Sequence, residues 1–192
     1  MIVTDPRYGP ERILAVVRAA AYAVPGICVQ LRDRTEASDD DLAPLATELR
    51  GVTRAAGATL VVNRRFDLAR RVGADGVHAP AADLAAASDF AWRSAPAHTS
   101  DELQNAQIAG ATGVLVSPIF DTPGKPPARG VSVLRAAHLR APDLSLVALG
   151  GVDASNARLC REAGADAVAV VRAVFEAADP ADAAKCLARA AE

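Results

Sequence analysis

Aromatic side chains are scarce in this 192-residue chain: one Trp, two Tyr and four Phe make up 4% of it. A surface that stacks single-stranded bases needs such rings, so their scarcity argues against that mode of nucleic-acid binding. A dominant charge is lacking too. The 21 basic and 23 acidic side chains leave a formal charge of −2, without the basic face of a general nucleic-acid grip. No apolar run approaches the roughly 20 residues of a membrane span, and no signal-peptide h-region opens the chain. Cysteine is limited to Cys28, Cys160 and Cys186, odd in number, far apart and in no C-x-x-C pair. That fits neither a disulfide frame nor a structural zinc site, and a reduced cytoplasm is expected. Cys28 and Cys160 lie in apolar stretches, where a thiol packs as a small hydrophobe. With no low-complexity linker, residues 1–192 are expected to form one domain, long enough to bury about 70% of its unfolded surface without staples.

What the chain does contain is alanine, which supports helices, and short bursts of valine and isoleucine, which suit buried strands. The bursts are Met1–Thr4, Gly26–Leu31, Thr59–Val62, Gly76–His78, Phe90–Arg93, Gly113–Val116, Leu144–Ala148 and Ala167–Val171. Helical patterns fall between them: Pro10–Tyr22, Asp39–Ala56, Phe66–Val72, Ser100–Ala109, Ser132–Arg140, Ala154–Ala163 and Pro180–Ala190, with a short, weaker stretch at Ala81–Ala87. A small-residue phrase recurs where helix meets strand, at 56–59, 73–77, 110–114 and 164–168. Its glycine serves the left-handed end of a helix, so one αβ connection is reused. Strands buried on both faces and joined by helices make a parallel sheet. Eight such units predict an α/β fold, the TIM (β/α)8 barrel. An open doubly wound sheet is the alternative, although no G-x-G-x-x-G follows the first strand.

Barrels of this kind place their chemistry at the C-terminal ends of the strands. Here those ends are polar: Thr4-Asp5, Gln30 to Arg34, Asn63-Arg64-Arg65, His78, Ser94, Ser117, Gly150-Gly151 and Arg172. Alternation puts Gln30, Arg32 and Arg34 on one side of an extended segment. Arginines at 32, 34, 64 and 65, with Lys125 in the loop 121–130, make a cationic mouth suited to a phosphate or diphosphate. The blander reading has them solvated, or paired with Asp33 and Asp67. Gly150-Gly151, in register with Arg172 after the eighth strand, suits a phosphate held by backbone N–H groups, or is a simple tight turn. His78 is either a general acid–base or a hydrogen-bonded structural histidine. Asp5, Asp83 and Asp121 come from separate loops, so sequence spacing alone shows no metal site.

Taken together, these segments resemble the thiamine-phosphate synthase/TenI family. The likeness runs in order through Val3-Thr4-Asp5, Val29 to Arg34 (the family's Q-x-R-x-K), Asn63 to Ala69, Gly73 to His78, Asp83-Leu84, Ser117 to Lys125, Ala148 to Val152, Asn156, Ala163 to Asp166 and Val168 to Val174. It implies a TIM barrel that joins 4-amino-5-hydroxymethyl-2-methylpyrimidine diphosphate to a thiazole phosphate, giving thiamine phosphate and pyrophosphate. By motif, Gln30, Arg32, Asn63, Ser94 and Lys125 hold the pyrimidine diphosphate, with Arg34 at the family's lysine position. Thr122, Gly124, Gly150, Gly151, Val171 and Arg172 hold the thiazole phosphate, and Asp83 matches a Mg2+ ligand. Arg32, Arg34 and Lys125 are the expected catalytic cations. The partners are small phosphorylated heterocycles; the oligomeric state stays open, a homo-oligomer included.

Four departures stand out. Arg64 occupies the place of a magnesium-binding Asp, and at about 4 Å in a medium of effective dielectric about 20 such a charge acts with about 4 kcal/mol, so the Mg2+ site is weakened. Ala79-Pro80-Ala81 replaces Leu-Gly-Gln, and Arg172 replaces a serine. The run from Ser94 to His98 is two residues longer than the family's Ser-x-His. The TenI branch, a thiazole tautomerase, carries its acid–base histidine where this chain has Pro118, as synthases do. Two alternatives to the synthase reading follow: a TenI-like tautomerase, and a non-catalytic phosphate-binding barrel.

Overall fold

The computed structural model describes residues 1–124 and 126–192; Lys125 lies outside them. Each apolar burst forms a strand: β1 (Ile2–Val3), β2 (Cys28–Leu31), β3 (Thr59–Asn63), β4 (Gly76–His78), β5 (Trp92–Ala97), β6 (Gly113–Val116), β7 (Ser145–Leu149) and β8 (Ala167–Ala169). Among the described residues these eight pair in parallel and in sequence order. Val3 N–H donates to Val170 O at 2.9 Å and Val170 N–H to Met1 O at 3.0 Å, which brings the last strand back to the first. The fold is the expected TIM barrel. Around it run α1 (Gly9–Ala23), α2 (Asp39–Ala55), α3 (Phe66–Val72), α4 (Ser100–Ile108), α5 (Ser132–Arg140), α6 (Ala157–Glu162), α7 (Arg172–Phe175) and α8 (Pro180–Ala190).

Strand alternation sorts the side chains. Ile2, Val29, Leu60, Val77, Val114, Leu146 and Val168 face outward and pack with the helices in the main core. Val3, Leu115, Val147 and Ala169 face inward, joined by Trp92 and Leu149, and fill the barrel axis. Trp92 fits only because its neighbours lack side chains: a Cβ on Gly113 would lie 2.4 Å from its ring, and one on Gly76 2.6 Å from its Cβ. Beneath that plug, at the N-terminal ends of the strands, lies an apolar cavity of about 460 Å³ bordered by Met1, Cys28 and Val147. It is at the opposite end from the polar rim.

The repeated αβ phrase does more than turn the chain. Asp75 Oδ2 accepts the N–H of Leu60 at 2.8 Å, and Asp166 Oδ2 that of Leu146 at 2.7 Å. Thr112 Oγ1 accepts the N–H of Arg93 at 2.9 Å. In each case the residue two after the glycine ties the start of its own strand to the start of the preceding one. Arg50 locks Asp75 through a bidentate pair at 2.6 and 3.0 Å.

Sequence and structure part company in several elements, among them α7 (Arg172–Phe175) and a 3-10 turn at Pro6–Tyr8, neither of which the pattern marks. The fifth strand, expected over Phe90–Arg93, runs instead to Ala97. Pro96 is the reason for the early stop, because a proline inside a buried strand ordinarily leaves a ladder position empty. Here Ser94 O already points towards β4, accepting from Ala79 N–H, so alternation turns Pro96 to that same side, beyond the end of β4 at His78. The missing donor therefore costs no bond. The stretch Ala81–Ala87 is a 3-10 helix.

Candidate active site

The rim of the barrel is built from inward-facing positions held level by register. Asn63 pairs with His78, and His78 with Ser94. Ser94, wholly buried, donates to Val77 O at 3.3 Å and lies 3.0 Å from His78 Nδ1. With its own proton given to the carbonyl, the hydroxyl accepts from Nδ1–H, a tautomer assigned from this bonding pattern. Nε2 then keeps its lone pair. Ser94 is thus a positioning residue for His78. The two extra residues before His98 are ordinary strand, since β5 pairs with β6 from Ser94↔Gly113 to Ala97↔Val116 without a bulge. Pro96 accordingly stands two places before His98, where the Ser-x-His spacing puts the family's serine.

Burial, then Arg32, Arg64 and His98, push the His78 imidazole down to about 4. Two guanidinium groups from separate strands therefore act on one ring. Above pH 6.5 the ring is neutral whether the chain is folded or not. As pH falls from 6.5 towards 4, the unfolded chain takes up a proton that the folded one refuses, so stability declines across that window by up to about 3 kcal/mol. Denaturant unfolding at pH 7 and pH 4.5 checks this: His78→Asn, which keeps a donor towards Ser94, is expected to lose less stability on acidification than the parent.

Beside this row sits Gln30, 1% exposed, with its Nε2 lacking any hydrogen-bond partner among the described residues. An orphaned buried amide costs about 1–3 kcal/mol, which a bound ligand with a hydrogen-bond acceptor would recover. Two residues on, the backbone of Arg32 is pinned: its N–H donates to Thr4 Oγ1 at 2.9 Å, and Thr4 Oγ1–H returns a bond to Arg32 O at 3.3 Å. Thr4 is fully buried. It belongs to the site's scaffold, a role with no signal in the sequence beyond its place at a strand end.

Among the described residues six arginines pair with carboxylates: Arg7, Arg50, Arg65, Arg70, Arg71 and Arg158, at 3.5, 2.6, 2.7, 3.0, 2.6 and 3.1 Å. Arg65, counted with the mouth on sequence grounds, is a strut to Asp39 and to Ala37 O. Arg32, Arg34 and Arg64 have neither an ion pair nor a side-chain hydrogen bond among the described residues. Burial lowers the pKa of Arg32, Arg34 lowers it further, and only Asp5 opposes them. Asp5 itself is engaged with Arg7. Arg64 is the one non-glycine residue with positive φ, 65°, among the described residues. That left-handed backbone costs about 1–2 kcal/mol. Arg64 N–H to His78 O at 2.8 Å, Arg65 N–H to Asn63 O at 2.9 Å and the Arg65 strut hold it in place.

Across the mouth, Gly150 and Gly151 have φ of 101° and 65°. A Cβ on Gly150 would lie 2.8 Å from Pro118 Cα, and one on Gly151 2.7 Å from Asp121 O. The loop after β6 closes over them through Ile119 N–H to Leu149 O and Phe120 N–H to Gly150 O, at 3.0 and 2.9 Å. Asn156 completes the turn: Nδ2–H donates to Gly151 O and Oδ1 accepts from Asp153 N–H. Val171 caps the short α7, which begins at Arg172. The amides of Gly151 and Arg172 bond to no other described residue. Thr122 donates to Phe120 O, and Gly124 is exposed on the loop, whose far end is tied back by Arg129 N–H to Pro118 O. Lys125, the remaining expected cation, is outside the described residues.

The metal position does not fit a two-carboxylate magnesium site. Asp83 is exposed on its 3-10 helix. The neighbouring ligand position carries the cationic Arg64, Asp121 accepts from Ala128 N–H, and no group of three or more His, Cys, Asp or Glu converges among the described residues. One exposed carboxylate is left there, short of the two-carboxylate set, and the guanidinium beside it opposes a dication.

The family model "TMP-TENI: Thiamine monophosphate synthase" matches residues 1–174. The thiamine-phosphate synthase of Natronomonas pharaonis is 39% identical over 203 residues, which cover 100% of this chain and 94% of the relative. That of Roseiflexus castenholzii is 38% identical over 197 residues, covering 97% and 85%. Among solved structures, the thiamine phosphate pyrophosphorylase from Pyrococcus furiosus superposes with a TM-score of 0.86 at 27% identity, covering 99% of this chain and 93% of that one. The orotidine 5'-phosphate decarboxylase from Pyrococcus horikoshii, at 17% identity and TM-score 0.72, shares the fold alone. Matched nearly end to end by synthases of this kind, and carrying their ordered strand-end segments, the chain belongs to the thiamine monophosphate synthase family.

Proposed function

We propose that this protein joins 4-amino-5-hydroxymethyl-2-methylpyrimidine diphosphate to a thiazole phosphate, releasing pyrophosphate and forming thiamine phosphate. One observation carries the reading: unpartnered guanidinium groups and the orphaned Gln30 amide share one side of the barrel mouth, while the glycine turn and the free Gly151 and Arg172 amides form the other. That is a site for two ligands, one with a diphosphate and one with a monophosphate.

In this reading Gln30 Nε2 donates to the pyrimidine and Asn63 lies beside it at the rim. Arg32 and Arg34 hold the diphosphate. The bond from the pyrimidine's exocyclic carbon to the bridging oxygen breaks with both electrons leaving on the diphosphate. The thiazole nitrogen gives its lone pair to that carbon, and no proton is gained or lost. Charge growing on the departing oxygen is met by fixed cations, which lower the barrier without reorganising. Gly150, Gly151, Val171 and Arg172 hold the thiazole phosphate so that its nitrogen points at the carbon, which makes the capture effectively intramolecular. Thr122 and Gly124 close the same side from the loop. The tautomerase alternative has Pro118 where it needs an acid–base histidine. Three free thiols, and no helix among the described residues long and apolar enough to cross a membrane, accord with a cytoplasmic enzyme.

The test is product formation. Purified protein given both substrates is expected to yield thiamine phosphate and pyrophosphate in equal amounts, and nothing when either substrate is omitted. Absence of both products, with and without Mg2+, overturns the proposal.

A further inference from the structure

The family's metal and this chain's side chains disagree at one point, and the disagreement has a chemical meaning. A magnesium ion would sit between carboxylates and the diphosphate, neutralising the second. Here the position next to Asn63 carries a guanidinium instead, on a backbone held left-handed by Arg65 and His78 O. Arg32 is drawn from the same side of the barrel, its backbone fixed by Thr4, and Arg34 follows two residues later. Carboxylates are plentiful on this surface and pair with six other arginines, yet none is bonded to these three among the described residues. Like charges that converge without counter-charges repel one another, and a multiply charged anion relieves the repulsion. A guanidinium also grips phosphate oxygens bidentately, which gives direction as well as charge.

We propose that Arg64 takes over the work of the metal: with Arg32 and Arg34 it forms a guanidinium trio that binds the pyrimidine's diphosphate directly, so that the enzyme works without Mg2+. The inference rests on the synthase reading above and narrows it. When the carbon–oxygen bond breaks, the electron pair left on the bridging oxygen is stabilised by guanidinium N–H donors, with no proton transferred and no co-reactant required. Arg64 touches the leaving group in this account, so its loss affects binding and turnover together.

The experiment uses inorganic pyrophosphate as the probe, titrated calorimetrically into the whole protein in EDTA and again in excess Mg2+. The parent is expected to bind in EDTA within about threefold of its affinity in Mg2+. Arg64→Gly, which removes the side chain and the left-handed strain together, is expected to melt no lower than the parent and to bind pyrophosphate in EDTA at least about tenfold more weakly. Arg64→Asp is expected to bind it only when Mg2+ is present. Pyrophosphate binding by the parent that requires Mg2+, or unchanged binding by Arg64→Gly in EDTA, overturns the inference. Turnover separates it from the reading beneath: thiamine phosphate formed only with Mg2+ removes the metal-free claim and keeps the synthase, whereas metal-free pyrophosphate binding without any thiamine phosphate keeps the guanidinium site and removes the synthase.

Discussion

Arg32→Ala is expected to lower kcat/KM for thiamine phosphate formation by about 100- to 1,000-fold, the usual effect of deleting one preorganised charge stabiliser at a leaving oxygen. The fold should survive, because Thr4 holds Arg32 through its backbone N–H and carbonyl, and its side chain bonds to no other described residue. Arg32 is also half-buried and loses its proton more readily than a surface arginine, pushed by burial and by Arg34. Removing it should therefore stabilise the empty protein slightly while disabling the occupied one. Arg32→Lys is expected to recover part of the rate, since a single ammonium restores charge and not the planar fork. Steady-state kinetics together with urea unfolding check this. A loss of activity below tenfold, or one matched by a collapse in stability, contradicts the role.

Gly150→Ala is the second large effect, and it falls on stability. The residue combines a φ of 101° with a Cβ position 2.8 Å from Pro118 Cα and 3.0 Å from Pro118 Cβ. Most of that clash is with backbone, so no side-chain rotation relieves it. The loop after β6 would have to lift, stretching the bonds of Ile119 N–H to Leu149 O and Phe120 N–H to Gly150 O. Strain of this kind costs about 1–3 kcal/mol and overpacking a further 1–3, for a total of about 2–6 kcal/mol. In a chain of this length that corresponds to a fall in Tm of roughly 4–24 °C. A variant that melts within about 2 °C of the parent contradicts the packing account of this turn.

Much of the barrel is readable from the chain because its rule is local. Buried strands must be short and apolar, helices must separate them, and the small-residue phrase marks the joints. Seven of the eight strands begin or end where the pattern places them to within a residue, among them Gly76–His78 and Gly113–Val116. β5 was hidden by Pro96, whose missing donor is harmless only because the neighbouring strand is three residues long, a fact about another element. The same limit applies at the site. Alternation in Gln30, Arg32 and Arg34 is written in the sequence, and so is the oddity of Arg64. Which arginines pair with carboxylates is not: Arg65 sits beside Arg64 in the chain, yet only Arg65 reaches Asp39. Nor does the sequence show that Ser94 reaches His78, because the two meet only through sheet register. Asn156 and Thr4 likewise work by holding backbone, which leaves no mark in composition or spacing.

The central claim is that both phosphorylated ligands bind at the C-terminal mouth, between the guanidinium side and the glycine turn. A crystal structure of the protein grown in EDTA with thiamine phosphate and pyrophosphate measures it directly. The account predicts pyrophosphate against Arg32, Arg34 and Arg64, the pyrimidine on Gln30, and the ester phosphate at the Gly151 and Arg172 amides. Ligand density in the cavity beneath Trp92, or pyrophosphate elsewhere than among those three arginines, contradicts it.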